Sequence, residues 1–266
     1  MIAFPNINPT AFSIFGIDIQ WYGLAYVTGL FLGLVYAKSI VKNKNTLRAN
    51  VLDDLLFWVA FGTIIGGRLG YVVFYDFNFY IENLSLIILD IRKGGMSFHG
   101  GLLGVIFSTF IFCKRKKLGF LKLMDVISCT VPIGIFFGRI TNFINSELWG
   151  KPTSLPWGIV FPNGGDAPRH PSQVYEACLE GIVLFLILNY FYKKKFGIEG
   201  YCSSLFLMLY GIFRIIVEFI REPDNHLGYI FGDFLTNGIL LSVPMIVVGL
   251  IVFIKVNEKY RTSIKK

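Results

Sequence analysis

Charge is scarce in this chain of 266 residues: 16% are Asp, Glu, Lys or Arg against 54% hydrophobic, and the mean hydropathy is +0.61. Soluble domains carry about 25% charged residues, so the shortage excludes an ordinary water-soluble domain and points to an integral membrane protein. Cysteine is sparse as well. Cys113, Cys129, Cys178 and Cys202 stand singly with no CxxC spacing, which leaves them as small apolar packing residues. The three histidines are scattered without metal-ligand spacing, so no metal is expected. Residues 1–20 lack the basic stretch that opens a cleavable signal peptide. Also missing are the alternating ten-residue strands of an outer-membrane barrel.

What the chain does have is long apolar runs. Seven are read as spans, at 20–38, 51–74, 97–113, 121–141, 172–192, 201–220 and 235–254, near the roughly 20 residues a helix needs to cross a bilayer. The expected fold class is an all-α integral membrane protein with seven transmembrane helices in a single domain, 1–266. Basic residues orient it. Lys38, Lys42, Lys44 and Arg48 follow the first span, and Lys114, Arg115, Lys116, Lys117 and Lys122 lie between the third and fourth. Lys193, Lys194 and Lys195 follow the fifth, and Lys255, Lys259, Arg261, Lys265 and Lys266 form the tail. These are 17 of the 25 Lys and Arg, all in alternate connections, which the positive-inside rule makes cytoplasmic. The N-terminus is then outside and the C-terminus inside. The net charge of +8 is a topology signal and does not point to nucleic acid.

The outside segments carry the turn residues. Phe4, Phe12, Ile14 and Phe15, broken by Pro5 and Pro9, suit an N-terminal arm on the membrane surface. Ile81, Leu84, Ile87, Ile88 and Ile91 recur at helical spacing with Glu82, Asp90 and Arg92 between them, which predicts a helix in the interface plane. Residues 141–171 hold Pro152, Pro156, Pro162, Gly164, Gly165 and Pro168, too long and irregular for a simple connection, and read as a small extracytoplasmic head. Its exit is expected at His170-Pro171-Ser172-Gln173, with His170 as N-cap and Pro171 in the first turn. GxxxG pairs at Gly29/Gly33, Gly66/Gly70, Gly100/Gly104 and Gly134/Gly138 predict close helix packing in the first four spans.

Three arginines lie inside spans: Arg68, Arg139 and Arg214. At about 1.5 Å per residue, Arg68 and Arg139 lie roughly 25 Å, and Arg214 on the order of 20 Å, above the cytoplasmic ends of their helices. Tyr22 and His99 come within a few residues of the outer start of theirs. All five fall in the outer half of the membrane. A charge in a bilayer costs about 2.5–3.5 kcal/mol on insertion scales, so a cationic cluster calls for an anion. Arg139 alone could be a helix end snorkelling to the interface. Arg214 could be neutralised by Glu218, four residues on. Arg139 has Glu147 near in sequence, and Arg68 has no evident partner, which leaves surplus positive charge suited to a phosphate that guanidinium forks can grip. His99, in Gly94-Gly95-Met96-Ser97-Phe98-His99-Gly100-Gly101, is either a helix cap or a general base, its ordinary pKa near 6.5 suiting proton transfer at neutral pH.

The stretch Gly138-Arg139…Asn142-Phe143…Asn145…Glu147…Gly150 resembles the signature of the prolipoprotein diacylglyceryl transferases. Similar blocks recur at Trp21-Tyr22-Gly23, His99-Gly100-Gly101, Arg169-His170-Pro171-Ser172-Gln173…Tyr175-Glu176 and Tyr210-Gly211…Arg214…Glu218…Arg221. Thr141 stands where that signature has Gly or Ala, and Gly232-Asp233 where Gly-Gln is expected. The resemblance implies a seven-span enzyme of the bacterial inner membrane that takes phosphatidylglycerol from the lipid bilayer. It implies attack by the lipobox cysteine thiol of a prolipoprotein on the glyceryl carbon, giving a thioether and releasing glycerol phosphate. In that reaction Arg139 and Arg214 would stabilise the leaving phosphate, and His99 would be the base with Tyr22 as an orienting or relaying partner. Asn142, Glu147, Gly150, Tyr210, Arg68, Glu218 and Arg221 would hold the headgroup. No cofactor is implied. The oligomeric state is left open, and a monomer is compatible with the sequence.

Other readings share some of these features. A transporter or flippase with an anion-binding cavity predicts inverted repeats and access from both sides, and no inverted repeat is found. A membrane protease would need a Ser–His or paired-carboxylate set, for which only Ser97 near His99 offers itself. In a scaffold without chemistry the arginines would merely pair with acids.

Overall fold

Helices dominate the computed structural model, which describes residues 2–5, 7–42, 49–90, 95–223, 228, 230–232 and 235–264. Lys44, Arg48, Ile91, Arg92, Gly94, Asp233, Lys265 and Lys266, used in the sequence arguments, lie outside the described residues. Among the described residues, six helices are long and apolar enough to cross a membrane: Trp21–Lys42 (α1), Ala49–Phe74 (α2), Phe120–Ile144 (α6), Ser172–Lys194, Tyr201–Glu218 (α9) and Asn237–Thr262, the body of α10. The protein is therefore a multi-pass membrane protein. The helix Phe98–Lys116 (α5) stands where the third span is expected and is not among the six. His99 and two glycines in its first turn and Lys114, Arg115 and Lys116 in its last shorten its apolar run.

The chain divides into two compact units, Ala37–Val126 and Met1–Tyr36 with Ile127–Lys266. In the first, α2 and α5 pack backbone to backbone. A Cβ on Gly70 would lie 2.6 Å from Gly100 Cα, and one on Gly66 would lie 2.7 Å from Gly104 Cα. Two of the expected glycine pairs thus form one seam, which Gly62 extends. The connection after α2 is two short helices, Phe77–Glu82 (α3) and Leu86–Leu89 (α4), broken at Asn83, in place of the single amphipathic helix expected there. The break has a use. Arg68, 3% exposed, donates to Leu86 O, Ile87 O and Gly95 O and to the Tyr80 hydroxyl, so the connection folds around the guanidinium.

In the second unit, α1 meets α6 at glycine: a Cβ on Gly29 would lie 2.9 Å from Gly134 Cα. Asn189 ties further elements together, accepting from the Tyr36 hydroxyl and donating to Cys129 O and Phe185 O. The helix from Ser172 is a short α7, Ser172–Glu176, then a π-helical turn, Ala177–Val183, then α8, Leu184–Lys194. Its N-cap is Pro171, one residue later than the expected His170, and no side chain caps it. The Gln173 amide instead donates to Glu147 O at 2.6 Å.

Residues 141–171 pack around aromatic rings. Phe161 is 1% exposed and contacts Phe4, Phe143 and Trp149. Phe4 arrives because strand β1, Ile2–Ala3, pairs in parallel with Ile159–Val160 (β4). The N-terminal arm is thus two things: a strand fastened to the head, and a hairpin of Thr10–Ile14 (β2) and Ile17–Gln20 (β3). Phe12, Ile14 and Phe15 are exposed on the hairpin, Phe15 completely.

Candidate active site

The site assembles on three helices of one unit. On α9, Tyr210, Arg214 and Glu218 succeed one another at four-residue spacing, so they lie along one face. All three are buried. Arg139 is near the C-terminal end of α6, and Glu176 and Glu180 project from the α7–π segment. A π-helical turn widens the helix by one residue and shifts the register of the turns beyond it. Here α7 and the π-helical turn together carry two fully buried carboxylates, Glu176 and Glu180, to the arginines.

Glu176 is the hub. Its Oε1 lies 2.7 Å from Arg214 Nη1 and 3.0 Å from Arg221 Nη1, and its Oε2 lies 3.0 Å from Arg139 Nε. Glu180 Oε2 is 3.2 Å from Arg139 Nη2. Glu218 Oε2 is 2.6 Å from Arg214 Nη2, while its Oε1 accepts from the Thr236 hydroxyl at 2.8 Å. Thr236 also accepts from Ile239 N at the start of α10, Asn237–Ile264, so the Glu218 carboxylate is fixed at a helix N-terminus. Tyr210, 1% exposed, stands within electrostatic reach of Arg139, Arg214, Glu176 and Glu180.

Three expectations change. Arg214 does pair with Glu218, but it shares Glu176 with two other arginines, so that pair is not its whole environment. Arg139 does not turn to Glu147, whose carboxylate instead accepts from the Asn142 amide at 2.8 Å. The surplus of positive charge is also absent within this cluster, where Arg139, Arg214 and Arg221 meet Glu176, Glu180 and Glu218. What distinguishes Arg139 is access. Its side chain keeps 16% exposure, and among the described residues its Nη1 has no partner, so the open edge of the fork can still meet an anion.

The loop after α6 is held by bonds of its own. Asn142 and Glu147 hold each other twice, by the side-chain bond and by Glu147 N donating to Asn142 O at 3.1 Å. Ser146 and Leu148 adopt left-handed backbone, φ 52° and 59°, unusual for residues with a side chain. Ser172 and Gln173 clip the loop to α7 through Leu148 O and Glu147 O. Gly150 lies where three backbones meet, and a Cβ there would stand 2.7 Å from Ile220 O and 2.8 Å from His170 O. Only glycine allows that approach. The next stretch is laced to the end of α9, with Lys151 N on Ile220 O and Glu222 N on Trp149 O.

Tyr22 is in the same unit, on the first turn of α1, and stacks at a tilt on Tyr26 with centroids 5.4 Å apart. Arg68 and His99 belong to the other unit. The α5 N-cap is Ser97, whose hydroxyl accepts from Gly100 N at 3.2 Å, so capping is not the task of His99, the second residue of the helix. Glu176 and Glu180 are site residues that the sequence reading misses. Their signal was there to see: they are the only acids in an apolar run of more than twenty residues, where an acid is costly unless paired.

Comparison with known proteins bears on this geometry. The family model of prolipoprotein diacylglyceryl transferase matches residues 9–255. The phosphatidylglycerol–prolipoprotein diacylglyceryl transferase of Pseudomonas aeruginosa is 50% identical over 251 residues, 94% of each chain. Its namesake from Rhizobium meliloti is 47% identical over 259 residues, covering 94% of this chain and 92% of its own length. That of Nitratidesulfovibrio vulgaris is 47% identical over 251 residues, 94% of this chain and 95% of its own. A family match across most of the chain, with relatives of this likeness, places the protein: it belongs to the prolipoprotein diacylglyceryl transferase family.

Proposed function

We propose that this enzyme moves the diacylglyceryl group of phosphatidylglycerol onto the lipobox cysteine thiol of a prolipoprotein. The cysteine sulfur forms a bond to the glyceryl carbon, the carbon–oxygen bond to phosphate breaks, and glycerol phosphate leaves with the electron pair. The observation that carries the reading is Arg139, held through Nε and Nη2 on two buried carboxylates with Nη1 unengaged among the described residues. A fork clamped on one edge and open on the other is preorganised for charge that builds on a leaving phosphate, and it needs no reorganisation when the bond breaks. Arg214 backs it through the shared carboxylate of Glu176.

Asn142, Glu147, Gly150, Tyr210, Glu218 and Arg221 position the headgroup and the arginines. Arg68, which organises the connection after α2, also serves the headgroup. His99 accepts the thiol proton and Tyr22 orients it. The whole chain works as one transmembrane domain of seven spans, with α5 as the third, the N-terminus outside and the C-terminus in the cytoplasm. The head at 141–171 and the N-terminal hairpin lie on the outer face of a bacterial inner membrane, and the reaction takes place in the outer half of the bilayer. A transporter or flippase is not favoured, because the cluster is closed by its own carboxylates on the side away from Arg139 Nη1.

The test uses purified full-length protein, vesicles containing phosphatidylglycerol and a lipobox peptide. The expected result is a mass increase of one diacylglyceryl group at the cysteine. No increase, under conditions in which a relative modifies the same peptide, overturns the transferase reading.

A further inference from the structure

Tyr26 has no part in the ion-pair cluster and no assignment in the reaction as described, yet its surroundings are those of the site. It sits one helical turn beyond Tyr22 on α1, and the two rings meet at 5.4 Å between centroids with a 47° tilt. Tyr26 stands within electrostatic reach of Tyr22 and Arg139.

Glycine packing explains this placement. A Cβ on Gly29 would meet Gly134, and one on Gly33 would meet Thr130, so α1 and α6 run antiparallel at close range. Outward from the Gly29–Gly134 contact, at about 1.5 Å per residue, Tyr26 lies roughly 4.5 Å along α1, Arg139 roughly 7.5 Å along α6 and Tyr22 roughly 10.5 Å along α1. Arg139 thus falls between the levels of the two tyrosines. Tyr26 keeps 46% exposure, unlike Tyr210 in the cluster interior. In a membrane-spanning helix a hydroxyl without a polar partner is costly, and the polar partners within reach here are the Tyr22 hydroxyl and Arg139.

We propose that Tyr26 is a positioning residue: it links Tyr22 to Arg139 and fixes the direction of the Tyr22 hydroxyl toward the bound lipid headgroup. The proposal rests on the transferase reading and on the part given there to Tyr22. An aromatic that only fills space would need the ring and not the hydroxyl.

The test is a cycle of Tyr22→Phe, Tyr26→Phe and the double variant in full-length protein, with kcat and the KM for phosphatidylglycerol measured on vesicles and a lipobox peptide. Tyr26→Phe is expected to lower kcat about ten- to hundredfold, the scale of a misdirected group, with KM within about twofold of wild type and the thermal midpoint unchanged. The double variant is expected to be no slower than Tyr22→Phe alone, as for residues acting through one another. Wild-type kcat in Tyr26→Phe, or losses that multiply in the double variant, overturn the proposal. If Tyr22→Phe is too slow for the cycle, Tyr26→Leu replaces it: equal losses in Phe and Leu support the hydroxyl, and a loss confined to Leu overturns it. Absence of transfer by the wild-type chain would instead strike the transferase reading itself.

Discussion

Arg139 and Arg214, on different helices and 75 residues apart in sequence, bind the two oxygens of a single carboxylate, Glu176. The pair is therefore one unit, because moving Glu176 moves both guanidinium groups. Breaking a buried ion pair by removing one partner costs about 3–5 kcal/mol, since the remaining charges lose their counterion in a medium that cannot solvate them. Glu176 serves three arginines, so its loss falls at the upper end of that range.

Glu176→Gln keeps the shape and removes the charge. The expected result is loss of transfer together with a lowered thermal unfolding midpoint in detergent. Glu180→Gln leaves Arg139 on Glu176 and should lower stability less. Equal midpoints for Glu176→Gln and wild type would show that the hub is not what holds the arginines.

Arg139→Ala should behave differently. Arg214 and Arg221 still hold Glu176 in that variant, so the fold and the membrane insertion are expected to persist, at a lowered unfolding midpoint because buried Glu180 loses Arg139. Turnover should fall by about 10²–10³-fold or more, the scale for removing a preorganised donor from a developing anion. Arg139→Lys restores the charge without the fork and should recover little, because one ammonium cannot bind two carboxylates and present a free edge as well. Wild-type turnover in Arg139→Ala, measured by the mass of the peptide product, would move the site elsewhere.

How far these residues could be read from the sequence depends on what kind of partner each has. Arg139 and Arg214 announce themselves, since an arginine deep in an apolar run is conspicuous. Their common acid does not: Glu176 is 37 residues from Arg139, and helical periodicity can only suggest partners on the same helix, as it did for Glu218. Arg68 shows the harder case. Its acceptors are mostly backbone carbonyls, which every residue possesses, so nothing in the sequence marks Leu86, Ile87 or Gly95 as partners. Glycine spacing identified helices that approach closely but left unstated that Gly29 faces Gly134 and that Gly66 and Gly70 face Gly100 and Gly104. The π-helical turn left no trace at all, because its widened hydrogen bonding uses the same residue types as an ordinary helix.

Gly150→Ala tests whether the loop after α6 positions the site by backbone contact. The added methyl would meet the carbonyl oxygens of Ile220 and His170 and the side chain of His170, none of which can withdraw without parting the head from α9. A cost of about 1–3 kcal/mol is expected, the range for overpacking, with transfer falling as the loop holding Asn142 and Glu147 shifts. A variant of wild-type activity and thermal midpoint would show that the junction yields freely.

His99→Gln separates chemistry from structure. Ser97 supplies the N-cap of α5, so glutamine at position 99 leaves the helix start intact, and the unfolding midpoint should stay at the wild-type value. A general base acts in its neutral form. Activity in wild type is therefore expected to fall as pH falls and the imidazole gains a proton, and to rise to a plateau as the proton is lost. Glutamine cannot titrate. The variant should lose about 10²–10⁴-fold in kcat, the range for a missing acid–base group, and the acid limb of its pH–rate profile should disappear with it. The measurement is kcat against pH for both proteins on the same vesicles and peptide. An acid limb that survives unchanged in His99→Gln assigns the proton transfer to another group, whether or not the rate has fallen.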